Sequence, residues 1–159
     1  MSIKEGMYMY RRIVILGMPG SGKSTLCAKL GKALHIPAYH LDRYAWEGDT
    51  LVPAEVLQRH VIEIVKTDAW IMDGTYEGTL DDRLARADLL IWLTDSRWRC
   101  ILRVIRRYVM SKIHPQTGDN PDIISWEFIR YIWQYERHKT ARLLCIYQPH
   151  ADHCELWRR

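Results

Sequence analysis

The stretch "RRIVILGMPGSGKST", Arg11 to Thr25, carries an unbroken apolar run into a glycine-studded turn that ends in Lys-Ser-Thr. Ile13, Val14, Ile15 and Leu16 suit a strand buried on both faces, since a half-exposed strand would alternate with polar residues. After the turn, Leu26, Leu30 and Leu34 recur at helical spacing, so a helix over about Lys23–Leu34 is expected. Between the two, Gly17, Gly22, Lys23 and Ser24 fill the pattern G-x-x-x-x-G-K-[ST] in the strand-to-helix setting that its mechanism needs. Glycines let the chain turn tightly and aim successive N–H groups into a concavity at the positive end of the helix, where a polyphosphate satisfies them. Gly17, Pro19, Gly20, Ser21, Gly22, Lys23, Ser24 and Thr25 are therefore the expected nucleotide-binding residues. Lys23 can reach the β- and γ-phosphates of ATP, and the Ser24 hydroxyl can hold magnesium.

The chain has 159 residues, nearly half of them hydrophobic, which fits one domain with a sizeable core. Its apolar runs fall short of the ~20 residues needed to span a bilayer, and "MSIKEGMYMYRR" lacks the apolar segment of a signal peptide. Cys27, Cys100, Cys145 and Cys154 form no C-x-x-C pair, as expected of reduced thiols in a cytoplasmic protein. Cys27 reads most simply as a small core residue. A monomer or homodimer with no membrane partner is expected. The net charge is only +4, but five arginines and a lysine lie between Arg97 and Lys112.

Further along, strands and helices alternate. A short second strand is expected at Ala38–Leu41, and Pro53 opens a helix striped by Val56, Leu57, His60, Val61 and Ile64. "AWIMDG" reads as a third strand ending at Asp73-Gly74, Asp81 to Arg86 as a short polar helix, and Leu89–Leu93 as a fourth strand. Asp95 or Ser96 caps a helix running to about Lys112. "HPQTGDNPD", His114 to Asp122, is the clearest loop; a helix over roughly Ile123–Tyr147 and a last strand in "HCELWRR" follow. Such alternation implies an α/β fold with a parallel sheet covered on both sides. Ligands of these sheets gather at the carboxyl ends of the strands, where Gly17, Asp42, Asp73 and Asp95 all fall.

A strand-end aspartate beside a triphosphate can orient the magnesium shell or accept a proton from the attacking group. Asp73 suits the magnesium side, through water, and Asp42 the acceptor side; Asp95 reads as a helix cap. Capping is the plain alternative for the first two as well. Phosphoryl transfer gathers negative charge that cations must offset. Arg99, Arg103, Arg106 and Arg107 fall near one face of the helix after the fourth strand, opposite Ile101, Val104, Ile105 and Tyr108. Arg130, Arg137 and Arg142 lie on the next long helix. Of these, Arg103, Arg107, Arg137 and Arg142 are the expected catalytic cations beside Lys23 and Asp73, with a lid segment over about residues 107–137. Trp126, Phe128, Ile129, Ile132 and Trp133 form a stripe that core packing would explain, although Trp133 or Tyr135 could line an acceptor pocket. "HADHC" offers His150, His153 and Cys154, but the spacing matches no structural zinc pattern.

The set "GMPGSGKST", "YHLD", "WIMDGTYEGTLDDRLARADLLIWL", the arginine-rich helix and "FIRYIWQYERHKTARLL" resembles the small P-loop proteins labelled DNA topology modulation protein, over nearly the whole chain. These are similar to adenylate kinase and other nucleoside and nucleotide kinases. The resemblance implies a P-loop three-layer α/β/α fold with a five-stranded parallel sheet of order 2-3-1-4-5. It also implies a lid after strand four and an acceptor site near Asp42, Asp73, Gly74 and Arg83. Related lids often carry arginines where "KIHPQTGDNPD" has only Lys112, and the sequence ends at Arg158-Arg159 where relatives continue into a further helix. The expected function is a magnesium- and ATP-dependent kinase acting on a small acceptor. The alternative is an NTP-binding regulator acting on a nucleic acid or a protein, and a signalling GTPase ranks third because no N-K-x-D stretch occurs. A DNA partner finds little support: no helix-turn-helix or zinc pattern is visible, and a nucleotide explains the arginines.

Overall fold

β1 (Arg12–Gly17) runs through the middle of a parallel sheet, and its residues from Ile13 onward are all buried. The computed structural model describes residues 9–48, 50–113 and 125–158, with the side chains of residues 113 and 136–138 outside that description. Within these bounds the chain continues through α1 (Lys23–Leu34), β2 (Ala38–His40), α2 (Leu41–Ala45), β3 (Trp46–Glu47), β4 (Thr50–Leu51) and α3 (Ala54–Val65). Next come β5 (Trp70–Asp73), a 3-10 turn at Glu77–Thr79, α4 (Leu80–Leu84) and β6 (Leu89–Leu93). α5 (Arg97–Ile113), α6 (Trp126–Tyr147), a second 3-10 turn at Gln148–His150 and β7 (Glu155–Arg158) complete it.

The main sheet has the order β2-β5-β1-β6-β7, which is 2-3-1-4-5 when the five parallel strands are counted along the chain. This is the P-loop α/β architecture expected from the sequence. The sheet is covered on both faces, as parallel sheets require. Val14, Leu16, Trp70, Met72, Leu90 and Trp92 pack with Leu57 and Val61 of α3, Leu80 and Leu84 of α4 and Ile132 of α6. Ile13, Ile15, Ile71, Leu89 and Ile91 form the other core, against Cys27, Leu26 and Leu30 of α1. Each fully buried side chain of this size contributes ~1.5–3 kcal/mol. Register then fixes the neighbours at the carboxyl edge: Ile15 pairs with Asp73, His40 with Asp73, and Gly17 with Leu93.

Several local expectations are corrected. The second strand stops at His40, and Leu41 opens a helical turn, because the buried Leu41 is drawn into the core beneath Gly74. Asp42 therefore stands in the first turn of α2 rather than at a strand end. A short antiparallel pair, β3 with β4, follows it. The polar helix begins at Leu80 and ends at Leu84, since Leu80, Arg83 and Leu84 are its buried positions. On α6, Ile132 is buried while Trp126 and Trp133 are exposed, so the five-residue stripe is not a core face throughout. On α5 the buried residues are Cys100, Ile101 and Val104, with Ile105 exposed. The loop at residues 114–122 and the expected helix start at Ile123 lie outside the described residues. No described helix is long and apolar enough to cross a membrane.

Candidate functional site

The turn from Gly17 to Lys23 is shaped by two glycines with different tasks. Gly20 has φ 81°, and a Cβ there would stand 2.4 Å from the Cys100 carbonyl oxygen of α5, so only glycine allows the loop to lie on that helix. Gly22 has φ 93°, and nothing lies within 4 Å of where its Cβ would be, which leaves backbone open at the helix start. Ser21 N–H donates to the Met18 carbonyl at 3.1 Å and closes the turn. Pro19 is partly exposed, and Thr25 is exposed in the first turn of α1. An open backbone cradle before a helix N-terminus fits a polyphosphate.

Lys23 folds back over the loop, where Nζ donates to the Met18 carbonyl at 3.0 Å. Burial pulls its ammonium below the ordinary lysine value; Asp42 and Asp73 oppose that, and Arg107 adds to it. Lys23 thus feels two carboxylates and one guanidinium at the same spot.

Asp73 is buried and uses both carboxylate oxygens. Ser24 Oγ donates to Oδ2 at 2.6 Å, and His40 Nδ1 lies 2.8 Å from Oδ1. The bond to Asp73 holds the His40 imidazole above its ordinary value, against burial. Cys27 Sγ sits below, 3.7 Å from the Ile71 carbonyl oxygen and 4.0 Å from that of Tyr39.

Beside this pair, Tyr76 donates its hydroxyl to Asp42 Oδ1 at 2.6 Å. Burial and the Asp42 charge both raise the phenol above its ordinary value. Thr75 Oγ1 donates to the Gly17 carbonyl at 3.1 Å, tying the segment after β5 to the phosphate loop. Arg83 is fully buried under that segment. Its Nη1, Nη2 and Nε donate to the carbonyls of Gly74 at 2.9 Å, Tyr76 at 3.0 Å and Thr79 at 3.2 Å. Burial lowers it to about 10, with Asp73 and Asp82 opposing, so it stays cationic at neutral pH.

The remaining arginines divide. Arg103 donates to the Gly20 carbonyl at 3.1 Å and to Asp95 Oδ2 at 2.6 Å, and so lies against the phosphate loop. Arg107, one turn further, is felt electrostatically by Lys23. Arg142 pairs with Glu77 Oε2 at 2.8 Å, and Lys139 holds the other oxygen of that carboxylate. The side chain of Arg137 and residues 114–124 of the expected lid lie outside the described residues. His150 bonds Asp81, His153 bonds the Leu84 carbonyl, and Cys154 is buried, so "HADHC" does not converge. A cavity of about 220 Å³ adjoins the loop between Met18, Thr94 and Arg158.

His40 and Glu77 carry contacts that residue patterns alone do not reveal. The register of β2 on β5 places His40 at Asp73, and no local motif encodes register.

No protein-family model matches the chain. Among solved structures, the fold is shared with shikimate kinase from Acinetobacter baumannii in complex with shikimate, at a TM-score of 0.53 and 14% identity over 98% of this chain and 88% of that one. That likeness shows a shared fold, the P-loop α/β architecture described above.

Proposed function

We propose that this chain is a magnesium-dependent kinase passing the γ-phosphoryl group of ATP to a small acceptor with a hydroxyl or phosphate, such as a nucleoside or nucleotide. It would act as one domain and belong with the kinase-like proteins of the DNA topology modulation type that its sequence resembles. The observation that carries this is the meeting of Ser24 with Asp73, with Lys23 and Asp42 within electrostatic reach. A hydroxyl and a buried carboxylate at the start of a phosphate-loop helix are the oxygen donors that a hard cation takes. The structurally similar kinase was solved with a small molecule, shikimate, and that supports a small acceptor here.

In this reading the open backbone near Gly22 receives the phosphates and Lys23 leaves the Met18 carbonyl to meet them. Ser24, with Asp73 through water, would hold magnesium, which would supply charge to offset that developing on the transferring group. Asp42, kept in place by Tyr76, takes the acceptor's proton as its oxygen bonds to phosphorus and the bond to ADP breaks. Arg103 and Arg107 offset charge from the α5 side, and Arg137 and Arg142 from the α6 side. Arg142 must first exchange Glu77 for phosphate. Arg83 holds Gly74 and Tyr76 in place for the acceptor.

The test is a screen of nucleosides, nucleotides and small alcohols for acceptor-dependent ADP release. A stimulated rate that Asp73→Asn removes is expected. An ATPase rate that no acceptor changes would leave an NTP-binding regulator in its place.

A further inference from the structure

We propose that Cys27, His40 and Asp73 form a binding site for a thiophilic divalent cation of the zinc class, distinct in chemistry from the magnesium role of Asp73. Cys27 Sγ, His40 Nδ1 and an Asp73 oxygen all lie within 4.8 Å of one another. Among the described residues no other group of three or more such side chains converges in this way. Three elements bring them together. Cys27 lies in the first turns of α1, His40 ends β2, and Asp73 ends β5, with His40 and Asp73 in register.

The donor set selects the ion. One thiolate, one imidazole and one carboxylate match borderline-soft metals, whereas magnesium takes oxygen ligands. Tetrahedral bonds of about 2.3 Å to sulfur and about 2.0–2.2 Å to nitrogen and oxygen set the donors roughly 3.3–3.6 Å apart, so the 2.8 Å contact between His40 and Asp73 widens and Cys27 Sγ, within 4.8 Å of both, draws in. Three protein ligands leave a fourth, tetrahedral position for water.

Charge and protons balance. The Cys27 thiol, pushed up to about 12 by burial and by Asp73, is protonated in the metal-free protein. On binding, the sulfur–hydrogen bond breaks, one proton leaves to solvent and a sulfur–metal bond forms. The thiolate and the carboxylate then cancel the two charges of the ion. The bound ion replaces the contact of His40 with Asp73 Oδ1 and neutralises the carboxylate whose other oxygen faces Ser24, so under the kinase reading above, which this consequence alone rests on, it lowers the affinity for magnesium-ATP.

The test titrates zinc chloride into the metal-free full chain by calorimetry and cobalt(II) by absorption spectroscopy, both without nucleotide. One equivalent should bind, with a thiolate-to-cobalt charge-transfer band. Cys27→Ala should remove the band and weaken zinc more than about 100-fold, a larger loss than outer-sphere changes give. Cys27→Ser reports the same loss with the side chain's size kept, and His40→Ala should also weaken binding. The double change His150→Ala/His153→Ala should leave it unaltered. Absence of stoichiometric binding, or a band that survives in Cys27→Ala, overturns the site. If zinc binds as expected yet leaves magnesium-ATP affinity unchanged, the metal site stands and the role given to Asp73 fails.

Discussion

Ser24 donates its hydroxyl to Asp73 Oδ2 at 2.6 Å across the edge of the sheet, while the other oxygen of Asp73 is taken by His40. The pair joins the first turn of α1 to the end of β5. A divalent cation entering there replaces a neutral donor with a charge, so its binding depends on the full negative charge of Asp73. Asp73→Asn keeps the shape and removes that charge. The loss in affinity should be larger for magnesium-ATP than for metal-free ATP, measured by calorimetry with and without chelator. Equal losses would leave Asp73 as a structural link between β5 and α1.

Lys23 is held on the Met18 carbonyl with its ammonium already disfavoured by burial, so a polyphosphate has a large effect on it. Lys23→Ala should keep the fold, because the residue packs on the loop and not in either core. A charge-assisted contact contributes ~1.5–3 kcal/mol, so magnesium-ATP affinity should fall about 10- to 150-fold. Calorimetry on the variant, with a circular-dichroism melt as the folding control, checks both parts.

Tyr76→Phe removes the hydroxyl that bonds Asp42 and also meets the Trp46 side chain. Asp42 then loses one of the contacts that orient it, so kcat/KM for the acceptor should fall by up to about tenfold, the equivalent of ~1.4 kcal/mol. ATP affinity should stay the same. A fall in ATP affinity instead would move Asp42 and Tyr76 to the nucleotide side.

Arg83 is buried with three carbonyls depending on it. Arg83→Ala leaves those acceptors unsatisfied and opens a cavity, so chemical denaturation should show a loss of about 3 kcal/mol or more. Arg83→Lys should recover only part, since one ammonium cannot span three carbonyls. A variant of unchanged stability and raised acceptor KM would show instead that Arg83 binds the acceptor.

Asp95 reports on the junction between α5 and the loop. Burial raises its carboxyl, but the Ser96 N–H, Arg103 and Arg99 together bring it below the ordinary value. A lowered native value stabilises the fold above the unfolded value of ~3.9, and that contribution is lost as pH falls through the native value. Asp95→Asn should flatten this part of the acid limb of stability. The effect should stay under about 1 kcal/mol, because Arg103 is half exposed.

The phosphate loop and the sheet were legible because each rests on local rules. Ile13 to Leu16 could be read as a two-sided strand, and Gly22, Lys23 and Ser24 as the turn that leads into α1. Asp73 was also legible, since a carboxylate closing "WIM" must sit at the strand edge. His40 was not, because its partnership depends on how far β2 slides along β5. The fate of Arg142 was hidden for a similar reason: Glu77 is 65 positions away in the chain, and only the docking of α6 brings them together. Trp126 and Trp133 misled because helical spacing gives a face without saying whether anything covers it.

The central claim is that the γ-phosphoryl group goes to an acceptor and not to water. Turnover of magnesium-ATP in 18O-labelled water, with the best acceptor from the screen, tests it most directly by mass spectrometry. A phosphorylated acceptor free of solvent 18O, formed in step with ADP and lost in Asp73→Asn, is the predicted result. Phosphate carrying 18O as the sole product, with the acceptor unchanged in mass, would contradict it.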